Sequence, residues 1–172
     1  MVTLEKQDFQ ENKRLYDEVE KKLRMKLGQE IPITQVGSTA IPDMCGKNII
    51  DILIGAKDTE QFEYIYNVLE EYEFVASKKS KDEIYQFFSS TASETGSGDV
   101  HIHLVIIETE RYSEFIILKE FLLKNREEAL NYSNFKKEII NKGITDRKEY
   151  KAIKSKYVTD MLARAKEWYS KL

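Results

Sequence analysis

One cysteine, two prolines, two histidines and one tryptophan are all that this chain of 172 residues contains of those types. The lone Cys45 excludes an internal disulfide, which fits a reducing compartment. With seven glycines and two prolines there is no low-complexity linker, and no internal repeat is visible. No run approaches the ~18 apolar residues of a membrane span. The opening MVTLEKQDFQENK has no apolar signal core. The expected setting is therefore cytoplasmic, with no membrane partner. Excess positive charge is missing too. A net charge of −3 argues against a nucleic-acid binder that relies on bulk charge, and it leaves a local basic pocket open. What is present is a globular mix, 41% hydrophobic and 33% charged. A chain of this length buries roughly two thirds of its unfolded surface and needs no staples.

Periodicity divides the chain in two. Phe9, Leu15, Val19, Leu23 and Leu27 recur at mostly three- and four-residue steps, which predicts a helix over 5–27 that stops at Gly28. Ile31 to Val36 reads as a strand, Gly37 to Lys47 as a loop, and Asn48 to Ile54 as a strand buried on both faces. Asp58-Thr59 caps a helix to about Tyr72. Strands follow at Phe74 to Ala76 and Ile84 to Ser89. Ser89 to Gly98 is a polar loop and the expected flexible point. Asp99 to Ile107 is a further strand. Three helices are expected beyond it: one from Arg111 to about Lys124, one from Glu127 to Asn141, and one from near Thr145-Asp146 almost to the end. The class is α+β, a mixed sheet packed against helices. One domain spans 1–172, with an α/β core over 1–108 and C-terminal helices over 109–172.

The chemistry concentrates in VGSTAIPDMCGKNIIDILIG, Val36 to Gly55. Gly37 lets a ligand approach the backbone, and the Ser38 hydroxyl with nearby amides, Thr39 included, suits a phosphate oxygen. Asp51 lies inside an apolar strand, where an ionised carboxylate needs a partner or a metal. Together they suggest Mg²⁺-assisted chemistry on a phosphate ester. The plainer reading is a turn followed by an Asp at a sheet edge. His101 and His103 are two apart on one strand, so their rings share a face with Asp99, either toward a site or as the polar side of a half-buried strand. Zinc is disfavoured, because no third ligand has a standard spacing. Ser38 is not in a nucleophile-elbow sequence.

These residues resemble a known family. VGSTAIPDMCGKNIIDI resembles the GrpB signature, and HIHLV resembles that family's His-x-His strand. Tyr132 with Lys136, and DRKEYKAIKSKY from Asp146 to Tyr157, match its helical motifs. The resemblance implies a nucleotidyltransferase-like fold. It also implies a divalent metal (Mg²⁺ or Mn²⁺) on Asp51, His101 and His103, and phosphates on Gly37, Ser38, Thr39, Lys47, Arg147 and Lys154. The expected function is transfer of a nucleotidyl group from a nucleotide to an unknown acceptor. The alternatives are a non-catalytic module for a nucleotide, coenzyme or other phosphorylated ligand, and a single-metal hydrolase using Asp51 and the two histidines. A homodimer is an open possibility. This chain departs from the superfamily pattern at Leu53, where a second carboxylate is expected. It departs from family usage at Asp43 for Gly, Asn48 for Pro and Lys119 for Arg.

Overall fold

Asp8 accepts hydrogen bonds from the amides of Gln10 and Glu11 and so starts helix α1, Phe9–Leu27, four residues inside the span expected from periodicity. The preceding Glu5–Lys6 is not helical. It is a short strand, β1, paired antiparallel with Cys45–Gly46 (β3), inside the stretch read as loop. The computed structural model describes residues 1–72, 74–78, 82–90 and 99–172. The expected flexible loop lies almost wholly outside them.

The main sheet has five strands. They are Ile33–Val36 (β2), Ile50–Ala56 (β4), Phe74–Ala76 (β5), Tyr85–Ser90 (β6) and Val100–Ile106 (β7), in the order β2-β4-β7-β6-β5. The central β4–β7 pair is parallel and the other pairs are antiparallel. Helix α2, Thr59–Glu71, is capped by Asp58 and provides the crossover side. It joins α1 on one sheet face, where Ile52, Ile54, Phe88, Ile102 and Leu104 pack against Leu23, Leu27, Ile65 and Leu69. Burying apolar side chains such as these contributes roughly 1.5–3 kcal/mol each.

The opposite face is covered by α3 (Glu110–Lys124), against which α4 (Arg126–Asn141) and α5 (Arg147–Tyr169) pack, with α4 also against β3. Val36, Leu53 and Val105 seal against Tyr112, Phe115 and Ile116 of α3. Gly55 makes that approach possible. A Cβ there would lie 2.7 Å from Ile107 Cγ1 and 2.9 Å from Tyr112 Cε2. Side chains on β4 and β7 alternate between the two faces. Leu53 therefore shares the α3 face with Asp51, and both are next to histidines: Asp51 pairs with His101, and Leu53 with His103. Asn48 precedes the strand rather than joining it, and its side chain donates to Glu5 Oε2 at 2.7 Å.

Candidate functional site

A Gly-Ser step after β2 turns the chain sharply. Gly37 takes φ 72, and a 3₁₀ turn over Ser38–Ala40 follows. A side chain at position 37 would run into Asp51 Oδ2 and stand 3.0 Å from its Cγ, so only Gly admits this carboxylate beside the turn.

The carboxylate is paired across the sheet. His101 Nδ1 donates to Asp51 Oδ1 at 3.2 Å, and His103 Nε2 lies 3.8 Å from the same oxygen. Burial alone pushes the Asp51 carboxyl up. The two histidines outweigh it and hold the group well below the usual carboxylate range. His103 Nδ1 lies 2.9 Å from the Tyr85 hydroxyl. In the tautomer that points an Nε2 proton at the carboxylate, Nδ1 accepts from the Tyr85 hydroxyl. Phe87 and Phe115 enclose the His103 ring.

Beside this pair is a cavity of about 140 Å³. Its polar lining is Ser38, Lys47, Asp51, His101, Lys136 and Lys154, and Leu4 and Tyr150 complete the wall. Three elements supply the lysines: Lys47 follows β3, Lys136 comes from α4 and Lys154 from α5. Lys136 is only 2% exposed. Its Nζ donates to Ser38 Oγ at 2.8 Å and to the Cys45 carbonyl, and it sits 4.6 Å from the Tyr132 ring centroid. Burial lowers its pKa to about 8. Burial also lowers the pKa values of Lys154 and Lys47, the latter with help from the Arg147 charge. Among the described residues none of these three lysines is in an ion pair with a carboxylate.

The sequence-based site is thus partly assembled. Gly37, Ser38, Asp51, His101, Lys47 and Lys154 come together, with His103 behind Asp51 rather than in the cavity wall. Thr39 is 1% exposed, does not line the cavity, and has a hydroxyl without a hydrogen-bond partner. Arg147 is exposed and outside the lining. Lys119 reaches Thr34 Oγ1 at 3.1 Å instead. Tyr157 packs with Phe135 and Tyr132 in the helical core. Leu4, Tyr150 and above all Lys136 were missed as site residues. Lys136 stands out in the sequence only as part of a motif.

The expected metal set does not fit the donors present. Asp51 is already paired with His101, and His103 Nδ1 is engaged by Tyr85. Leu53, at the position of the second carboxylate, is sealed under α3. Among the described residues no group of three His, Cys, Asp or Glu side chains is placed to hold a metal ion. Cys45 is buried, with its thiol donating to the Ser133 carbonyl at 3.1 Å.

A family model described as GrpB protein matches residues 2–164. The glutamate-rich protein GrpB of Alkalihalophilus pseudofirmus is 28% identical over 153 residues, 87% of this chain and 88% of that protein. A UPF0157 protein of Halalkalibacterium halodurans is 24% identical over 153 residues, 88% of this chain and 76% of that one. Among solved structures, conserved protein GrpB from Enterococcus faecalis superposes with a TM-score of 0.82 at 15% identity, over 97% of this chain and 99% of that one. A cytoplasmic RNA terminal U-transferase superposes with a TM-score of 0.52 at 12% identity, over 80% of this chain and 42% of that one. At these identities the two structural matches speak for the fold, which is nucleotidyltransferase-like. Among the described residues no helix is long and apolar enough to cross a membrane.

Proposed function

The chain belongs to the GrpB family, and on that premise we propose that its lysine-lined cavity holds the phosphate end of a nucleotide or another phosphorylated small molecule. The supporting observation is a charge imbalance. Lys47, Lys136 and Lys154 converge with Ser38 on one cavity, none of them in an ion pair with a carboxylate among the described residues, and Asp51, the acidic side chain of the lining, is hydrogen-bonded to His101. Lys136 is buried and Lys47 and Lys154 are half-buried, with Asp51 the acidic side chain in the lining, so three ammonium groups face one carboxylate and a phosphate would supply the negative charge that is short. Ser38 adds a neutral hydroxyl contact, and Gly37 keeps the turn open beside Asp51.

A second reading, transfer of a nucleotidyl group to an acceptor hydroxyl, is favoured by the ionised state of Asp51 at the cavity edge. A hydroxyl reaching that carboxylate finds a hydrogen-bond acceptor that orients it toward the bound phosphate, while a carboxylate this acidic is a weak base. The RNA terminal U-transferase that shares the fold is named for a transfer reaction of this kind.

The test is a thermal-unfolding screen against nucleotides and coenzyme A. A ligand at about 100 times its dissociation constant adds about 2.7 kcal/mol. That is about 5–10 °C in Tm for a chain of this length. The expected outcome is such a shift with a phosphorylated compound and its loss in Ser38→Ala combined with Lys154→Gln. Flat melting curves across the whole panel would remove the phosphate reading. Radiolabel transfer from the best-binding nucleotide would then separate an enzyme from a binding module.

A further inference from the structure

We infer that this cavity takes the diphosphate end of its ligand with lysine charge in place of divalent metal, so that binding there is metal-independent. The inference rests on the reading of the cavity as a phosphate site and adds the chemical class of the group and how its charge is met.

The donor set comes first. A divalent ion that bridges phosphates needs carboxylate oxygens with lone pairs facing the phosphate. Here Asp51 Oδ1 is shared by His101 and His103, and the neighbouring same-face position is Leu53, 0% exposed under Tyr112 and Phe115. The cavity is cationic instead. Lys136 reaches it from α4 and Lys154 from α5, Lys47 flanks β3, and among the described residues no ion pair with a carboxylate holds any of them.

Size and spacing choose the group. Whole-ligand pockets for small molecules are typically ~300–1,000 Å³. A cavity of about 140 Å³ accepts a charged end and leaves the rest of the molecule outside. Three lysines from separate elements, with the Ser38 hydroxyl hydrogen-bonded to one of them, bring more positive charge than one phosphoryl group balances, which favours two linked phosphoryl groups. The Asp51 oxygen that faces the histidines accepts from His101, and the three lysines outnumber this carboxylate in the lining, so the net charge met by an entering phosphate is positive.

The experiment is isothermal titration of the full-length chain with inorganic pyrophosphate and with orthophosphate, each with a chelator and with Mg²⁺ or Mn²⁺. The expected result is pyrophosphate binding in chelator, at least about tenfold tighter than orthophosphate. Mg²⁺ should leave this affinity unchanged or weaken it by complexing the probe. Lys154→Gln should weaken pyrophosphate binding by about tenfold or more, the scale of a lost charge-assisted contact, while keeping a cooperative melt. Lys136→Met should do the same, so the inference does not depend on one variant folding. Binding of pyrophosphate only with metal overturns the metal-free assignment and leaves the phosphate site standing. Nucleotide binding without pyrophosphate binding overturns the diphosphate assignment alone. Failure of every phosphate compound with and without metal removes both.

Discussion

Lys136 places an ammonium group in a site only 2% exposed. The groups that face or influence it are Ser38, the Cys45 carbonyl and Tyr132, with the charges of Asp51, Lys154 and Lys137 further off. Burial lowers its pKa from 10.5 to about 8. The unfolded chain therefore binds more protons than the folded one between those two values, and stability gains from this group as pH rises through them. Lys136→Met is expected to raise stability at pH 7 by about 1–3 kcal/mol, because an unpaired buried charge is replaced by an apolar chain of similar length. That advantage should shrink as pH climbs past 8. Urea unfolding of both proteins at several pH values checks it, and a constant gap would mean that Lys136 does not titrate in this range. The same residue shows what one sequence leaves out. A lysine four residues after Tyr132 reads as a helix-surface charge, and its direction is set by where α4 packs.

At the scale of elements, caps and glycines account for most of what was readable. Asp58 and Asp146 start α2 and α5 where polar caps precede periodic apolar residues. Strand β7 alternates as its pattern implies, with Ile102 and Leu104 in the core and His101 and His103 on the other face. The start of α1 was misplaced because Glu5 and Lys6 are compatible with a helix, and only pairing with β3 draws them into a strand. Asp43 adopts φ 61, a conformation that suits glycine, the residue the GrpB resemblance leads one to expect there. Gly37 is the element-level hinge of the site. Gly37→Ala combines a strained φ with a clash against Asp51. It should cost about 1–3 kcal/mol and weaken ligand binding, measured by chemical denaturation and by titration. Unchanged stability and binding would show that the turn can relax away from Asp51.

For the whole molecule, the cavity exists because distant segments meet. The N-terminal strand lies against β3, Val2 N donates to the Thr145 carbonyl at 2.8 Å, and Leu4 forms cavity wall. Val2 is 2% exposed and packs with Ile139 and Tyr150. Removing residues 1–4 should cost at least about 1.5–3 kcal/mol from Val2 alone, or about 3–12 °C in Tm, and should open the cavity to solvent. A truncated chain with full Tm and full phosphate affinity would show that this segment plays no part. The sequence by itself determined the class, the five main strands and five helices in their order, and the approach of Gly37, Ser38, Asp51 and His101, because hydrophobic period, caps and a long local motif are encoded by neighbours in the chain; β1 and β3 exist only through their pairing. Only the tertiary structure decided that Lys136 enters the site, that Thr39 and Arg147 stay outside its lining, and that Leu53 is sealed where a metal ligand was expected. Those outcomes depend on how α3 packs on one face of the sheet and α4 and α5 on α3, and that packing is a sum of long-range contacts no local pattern records.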